Sequence, residues 1–556
     1  QSIIPRLKKR YVTYGMNPQA DLVATNLKKS RSGVRFEAAY GDRPLGVFSV
    51  EMPGEHNVAN ALAAMAVGIE LDSPLPPGGT IELEISWSFE VPEGTFRMGR
   101  EGTDVFYLAQ WFPHVATYDD LEGWARDPYL GDGEFYLDYG DYTVEITAPQ
   151  GWLVSASGVL ENPEEVLPIE AVERLRALSP DQVVAVVSRE DREGGRATRE
   201  GDAEGLLTWR YSADNVRDFA WGASDQYVWE GTVATYPDPD GGSRSAAIHA
   251  LYRPDQPHWE RAAEYARHAV EAHSWWYPYP YPQMTVNEGV IGGGMEYPMI
   301  TIVGGGRTPL SLYGVISHEI AHMWWPMVVG TNERRFAWID EGLASFSEDL
   351  FTPTLFPDSP GGVGSLEGYL RVAGTDRETE SMRPADLYGP FGNRGLASYG
   401  KPATVFRALR GLLGEEVFDG ALREFTRRWA FKHPHPVDLF STFEEVTGQD
   451  LDWYFYPWMY TTRVMDHSID GVSVSEDGRR VRVFLLDSGE IAMPVIMEFQ
   501  VQGSEAVRHT AGQGEWREGR MELEVELPGP VTRILLDPDT VFPDVNRADN
   551  EWVPGG

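Results

Sequence analysis

The chain has 556 residues, 42% of them hydrophobic and 12% aromatic, enough for several domains with packed cores. Its 85 acidic residues outnumber 47 basic ones and leave a formal charge of −38, which excludes nucleic acid and anionic membrane as charge-driven partners. The absence of cysteine rules out disulfides and thiolate ligands, and no apolar run is long enough for an integral membrane segment.

Residues 1–72 differ from the rest of the chain. They hold nine Lys or Arg against seven Asp or Glu, and all 18 tryptophans lie beyond them, starting at Trp87. Such a break marks a module boundary. The opening QSIIPRLKKR has no apolar stretch of signal-peptide type. The run YVTYGMNPQADLVATNL…GVFSVEMPGEHNVANALAAMAVGIELD resembles part of the central domain of the Mur ligases, of the UDP-N-acetylmuramate–alanine ligase kind. The resemblance implies that His56, Asn57 and Asn60 belong to a segment near the nucleotide base. A working ligase needs a G-x-x-x-x-G-K-[ST] loop to cradle phosphate. Gly304-Gly305-Gly306-Arg307 lacks the lysine, and Gly400-Lys401 is followed by proline. Residues 1–72 are therefore expected to be a ligase-like fragment without ligase activity, either a fusion or a sequence-assembly artefact.

Residues 73–217 read as β-rich. IELEISWSFEV and DYTVEITA alternate apolar and polar residues with the period of a strand, between clusters of Gly, Pro and Asp. Residues 162–194 read as a polar, partly helical insertion.

Residues 218–463 alternate strand and helix patterns. Met299-Ile300-Thr301-Ile302-Val303 predicts a strand with an edge open to a peptide. His318-Glu319-Ile320-Ala321-His322 comes next. On a helix, the two imidazoles four residues apart share one face and can hold one zinc ion, with Glu319 free to act on water. A turn at Gly330-Thr331-Asn332 brings a second helix back, so that Glu341, in Trp338-Ile339-Asp340-Glu341-Gly342, supplies a third ligand. Two histidines and a carboxylate leave a fourth zinc position open for chemistry. Ser345, one turn later, is a candidate partner of a ligand. Trp324, Trp325 and Trp338 are expected to pack around the site. Residues 402–414 and 416–430 read as amphipathic helices.

The run VISHEIAHMWWPMVVG…FAWIDEGLASF, with Gly293-Gly294-Met295-Glu296-Tyr297 upstream and Ser398-Tyr399-Gly400-Lys401-Pro402-Ala403 downstream, resembles the membrane alanyl aminopeptidase family of zinc peptidases, the gluzincins. The resemblance implies a thermolysin-like α/β catalytic domain and one zinc ion per chain on His318, His322 and Glu341, with Glu319 as general base. It implies that Tyr399 donates to the tetrahedral oxyanion. It also implies that Gly293, Gly294, Met295 and Glu296 bind substrate, Glu296 pairing with the free α-amine of a peptide. Tyr297 stands where the family has asparagine, and Pro402 where it has glycine.

Residues 464–556 return to short strands, such as VRVFLLD and MELEVELPG, and predict a C-terminal β-sandwich. The expected architecture is multidomain α+β. It comprises a Mur-ligase-like fragment at 1–72, a partial β-rich N-terminal domain at 73–217, the catalytic domain at 218–463 and a β-sandwich at 464–556. The expected activity is a zinc aminopeptidase acting on peptides. Two alternatives stay open: a zinc peptidase without strict need of a free N-terminus, and a non-catalytic scaffold. The protein is expected to be exported, periplasmic or extracellular, with a signal peptide absent from this sequence, and otherwise cytoplasmic.

Overall fold

The computed structural model describes residues 14–16, 22–29, 34–50, 76, 78–94, 97–127, 129–289, 292–304, 308–359, 361–388 and 394–554. Strands at Tyr14–Gly15, Leu22–Lys29, Val34–Tyr40 and Arg43–Val50 form a small sheet in chain order. Its alternate residues Leu22, Ala24, Val34, Phe36 and Ala38 are buried, the period-two pattern of a sheet with one covered face. His56, Asn57 and Asn60 lie outside the described residues.

DYTVEITA falls within the strand Gly140–Pro149, which pairs antiparallel with Leu206–Val216. IELEISWSFEV does not form the strand its alternation predicts. Residues 81–91 make no ladder, and Ile81, Leu83 and Trp87 remain exposed. Alternation yields a strand only where a neighbour completes the hydrogen bonds and a core covers one face. Here the indole of Trp87 instead donates to the carbonyl of Trp111 at 2.8 Å.

A six-stranded sheet underlies the helices that hold the H-E-x-x-H motif. Its strands are β1 (Val184–Val187), β2 (Val228–Pro237), β3 (Ser243–Tyr252), β4 (Gln283–Gly289), β5 (Gly294–Tyr297) and β6 (Ile300–Gly304), in the order β1-β2-β3-β4-β6-β5. The segment 162–194, read as a polar insertion, thus contributes a strand to this sheet. Every residue of β4 is buried, as expected of a strand covered on both faces. The expected open edge at residues 299–303 is not there. β6 is paired on both sides, with β4 in parallel and β5 in antiparallel. Met299 takes a positive φ of 62° and folds β5 back as the edge strand.

Helix α1 (Ala262–His273) packs on this sheet, and α2 (Pro309–Ala321) and α3 (Glu333–Leu355) pack together beside it. Thr308 caps α2 by accepting the N–H of Ser311, with Pro309 in the first turn, and Asn332 caps α3 by accepting the N–H of Arg335. A non-helical Phe336 breaks α3 just before Glu341. Helices α4 (Val363–Leu370), α5 (Lys401–Leu413), α6 (Glu415–Trp429), α7 (Pro436–Thr447) and α8 (Asp452–Tyr460) complete the helical part. Trp324, Trp325 and Trp338 are fully buried in the same apolar core.

After residue 466, one sheet joins His467–Val474, Arg480–Asp487 and Arg520–Glu526. A second joins Val507–Ala511, Val495–Val501, Val531–Leu536 and Glu551–Trp552. Val483, Leu485, Met497, Phe499 and Leu523 from both sheets share one core, which is sandwich packing. The whole is a mixed helix-and-sheet chain built on several sheets. None of the helices among the described residues is long and apolar enough to cross a membrane.

One polar knot ties the hairpin of Tyr118–Asp119 and Gly123–Trp124 to the helical part. Asp119 accepts the N–H groups of Leu121 and Glu122, the Tyr136 hydroxyl at 2.8 Å and His435 Nε2 at 2.9 Å. Burial alone would raise its pKa. The bonds from Tyr136 and His435 and the backbone outweigh burial and hold it at about 2. A depressed folded pKa adds stability that is present above the ordinary carboxyl range and fades as pH falls toward the folded value. Asp119→Asn should therefore lower the urea midpoint clearly at pH 7, and the gap to wild type should shrink as pH falls from 5 toward 2. A gap that is constant over that window would contradict the assignment.

Candidate metal centre and active site

His318 lies in the last turn of α2 and His322 caps its C-terminus, while Glu341 comes after the break in α3. The two elements converge so that His318 Nε2 is 3.1 Å from Glu341 Oε2, His322 Nε2 is 3.3 Å from the same oxygen, and the two imidazole nitrogens are 3.2 Å apart. Ligand atoms bound tetrahedrally at zinc distances are about 3.4 Å from one another. The triangle therefore fits a single zinc ion, and two histidines with one carboxylate are a donor set that zinc accepts. Burial would raise the pKa of Glu341, but hydrogen bonds from His318 and His322 outweigh it and hold the carboxyl well below its usual range.

The rear nitrogens of both rings are also held. His322 Nδ1 is 2.6 Å from Asp340 Oδ1 and 2.9 Å from the carbonyl of Trp325, and His318 Nδ1 is 3.4 Å from Glu348 Oε2. Partners of this kind fix ring orientation and tautomer. Ser345 does not fill this role. Sequence reasoning missed Asp340 and Glu348, although the spacing carried a signal. Glu348 is seven residues, two helical turns, after Glu341, so the two share a face.

Glu319 is buried, its Oε2 without a hydrogen-bond partner. Burial pushes its carboxyl up to about 7, against the pull of His318 and His322. It lies under β5. A Cβ on Gly294 would sit 2.2 Å from Glu319 Oε1, so only glycine lets the strand pass over this carboxylate. Gly293 has no such constraint, since open space surrounds the position of its absent Cβ, and its carbonyl accepts the N–H of Gly304. Met295 is buried against Arg97. Glu296 is buried, with Oε1 unpartnered, and burial followed by the neighbouring Glu134 raises its pKa well above the usual carboxyl range.

Sequence reasoning also missed Glu134. It comes from the β-rich part, and only folding brings it to Glu296, Glu333 and Asp340, each offering an oxygen within 4.8 Å of the others. Its Oε1 pairs with Arg97 at 2.7 Å and Arg394 at 2.8 Å, while Oε2 is buried without a partner. Glu333 is neutralised by the buried Arg217 at 2.7 Å. Carboxylate oxygens without a hydrogen-bond partner, on Glu134, Glu296, Glu319 and Asp340, thus gather beside the metal triangle. Buried groups of this kind call for a cationic or hydrogen-bonding partner.

Tyr399 sits on a π-helical turn, Gly395–Gly400, that runs into α5. Such turns recur at functional sites, and no sequence pattern announced this one. Its hydroxyl donates to Glu341 Oε1, and its ring stacks on His318 at 5.7 Å. Gly342 permits that approach, because a Cβ there would meet Pro402 at 2.5 Å. Pro402 and Gly342 are thus complementary. Lys401 anchors the same turn through a fully buried bond to Glu378 at 2.7 Å and another to the carbonyl of Thr461.

Residues 270–458, which hold these motifs, match the Peptidase family M1 domain. This part of the chain is similar to the peptidase family M1 domains. Residues 2–68 match the Mur ligase middle domain. Over 72 residues the chain is 54% identical to the UDP-N-acetylmuramate–L-alanine ligase of Trichlorobacter lovleyi, covering 13% of this chain and 16% of the ligase. The chain therefore spans about a sixth of that relative. Among solved structures, Legionella pneumophila aminopeptidase A in complex with aspartic acid superposes with a TM-score of 0.56 at 16% identity, over 81% of this chain and 48% of that one. The likeness is one of fold. An M1 zinc metallopeptidase of Deinococcus radiodurans superposes with a TM-score of 0.44 at 17% identity, over 65% of this chain and 71% of that one.

If Asp340 orients His322 for a metal, Asp340→Asn should keep the fold but weaken zinc binding by about 10- to 100-fold. Competition with a chromophoric chelator measures this, and unchanged affinity would rule out the orienting role of Asp340.

Proposed function

We propose that the M1 domain is a zinc-dependent aminopeptidase that removes N-terminal residues from peptides. One observation supports this reading most strongly: the orphaned oxygens of Glu296 and Glu319 lie beside the His318–His322–Glu341 triangle. Zinc held by those three side chains would supply a Lewis acid for the peptide carbonyl and lower the pKa of water. Glu319, buried at its edge, takes a proton from water and returns it to the leaving amine. Tyr399 donates its hydroxyl to the developing oxyanion. Glu296 accepts the α-ammonium of the substrate and fixes how far the chain reaches.

One feature supports the broader alternative, a zinc peptidase with little need of a free N-terminus. Two arginines already hold Glu134, and Tyr297, bonded to the carbonyl of Arg97 at 3.0 Å, replaces the family's asparagine. A non-catalytic scaffold has no use for an unpartnered buried Glu319.

Glu319→Gln should abolish turnover while zinc stays bound, because Glu319 is not among the ligands. Substantial residual hydrolysis would overturn its role. Tyr399→Phe should lower kcat with little change in KM, because the phenol acts in the transition state. A change in KM alone would make Tyr399 a binding residue.

The exopeptidase reading is tested at Glu296. Glu296→Ala should weaken cleavage of free-amine peptides by about 2–4 kcal/mol in kcat/KM, roughly 30- to 1000-fold, the scale for truncating one partner of a desolvated charge pair. N-acetylated peptides should already be poor substrates of the wild type. If wild type cuts blocked and free peptides alike, the broader peptidase reading replaces this one.

A further inference from the structure

Arg394 is a charge that the proposed mechanism does not use. It stands five residues before Tyr399, at the start of the π-helical turn. Its Nη2 lies 2.8 Å from Glu134 Oε1 and 3.6 Å from Glu341 Oε1, so it faces the same cleft as the metal triangle. Arg97 reaches the same Glu134 oxygen at 2.7 Å.

One carboxylate cannot neutralise two guanidinium groups. The two arginines are also not equivalent. Arg97 is the more buried, at 12% side-chain exposure, and is embedded in structure. It bonds the hydroxyl of Tyr129, lies against Met295 and covers the ring of Phe135. Arg394 is 27% exposed, and its Nε is buried with no acceptor. Arg97 is therefore committed to Glu134, whereas Arg394, which also pairs with Glu341, keeps a buried Nε without an acceptor. A guanidinium in that state is a receptor for a carboxylate, which it can hold in a bidentate fork.

The position selects which carboxylate. Glu134 and Glu296 bring oxygens within 4.8 Å of each other. A substrate ammonium held by Glu296 thus lies next to the residue that Arg394 touches. The group closest to that ammonium is the side chain of the substrate's first residue, whose carboxylate is two bonds from the α-carbon in aspartate and three in glutamate.

We propose that Arg394 is a specificity-determining residue that selects peptides beginning with aspartate or glutamate. This rests on the aminopeptidase reading above. The same guanidinium disfavours substrates with an N-terminal lysine or arginine, since like charges brought together repel.

The test is the rate of zinc-loaded enzyme on a series of aminoacyl p-nitroanilides bearing Glu, Asp, Ala, Leu and Arg. Wild type should show its highest kcat/KM on Glu or Asp and its lowest on Arg. In Arg394→Met the ratio of the Glu to the Ala rate constants should fall by about 30-fold or more, the scale for losing one partner of a desolvated charge pair. Arg394→Lys should retain part of the preference, because it keeps the charge and loses the fork. Calorimetry on the Glu319→Gln protein gives a readout independent of turnover: free aspartate or glutamate should bind more tightly than free alanine, and the added Arg394→Met change should erase the difference. Cleavage of the Ala and Leu substrates with none of Glu or Asp would overturn the role of Arg394 and leave the aminopeptidase reading standing. No cleavage of any free-amine substrate, with cleavage of N-acetylated peptides, would overturn the aminopeptidase reading itself, and this proposal with it.

Discussion

The structure depends on how closely α2 and α3 approach. Three proposed ligand atoms, from α2, its C-cap and α3, lie 3.1 to 3.3 Å apart, a spacing with little tolerance. Two imidazoles and a carboxylate crowded into a dry interior need a shared cation or shared protons. Packing provides the rigidity. Trp324 and Trp325 follow His322 after Met323, Trp338 stands three residues before Glu341, and all three are fully buried. Behind the rings, Asp340, the Trp325 carbonyl and Glu348 fix the direction of each imidazole. The ligands are thus held by packing and by hydrogen bonds together.

The rest of the site is fitted to that triangle by contacts too tight for a larger residue. Gly294 lets β5 lie on Glu319, and Gly342 lets the π-helical turn press on α3. The first contact keeps the proposed base buried and away from bulk water. The second brings the Tyr399 hydroxyl onto a ligand carboxylate. Gly342 makes the room that Pro402 occupies. These contacts explain how the proposed metal triangle can sit next to the proposed general base, oxyanion donor and ammonium receptor without any of them being on a long flexible arm.

Much of this was legible in the sequence where the signal was local. The H-E-x-x-H pair, Glu341 after a turn, the strand in DYTVEITA and the paired C-terminal strands all depend on spacings within one or two elements. What could not be read depends on contacts distant in the chain. Glu134 and Arg97 reach Glu296 and Met295 across more than 150 residues. The segment 162–194 looked polar, yet Val184–Val187 completes the catalytic sheet. IELEISWSFEV has the right period but no neighbour to pair with. A strand is an agreement between segments, and alternation records only one side of it. The small sheet at residues 14–50 belongs to a segment whose Mur-ligase likeness was visible in its residues.

Everything proposed for the site rests on one zinc ion held by His318, His322 and Glu341. X-ray absorption at the zinc edge on the purified, zinc-loaded protein tests this directly. The spectrum should show one zinc per chain in a shell of two imidazole nitrogens and oxygen ligands at about 2.0–2.2 Å, with loss of the imidazole signal in His318→Ala. A shell of oxygen atoms alone, or an unchanged spectrum in that variant, would contradict it.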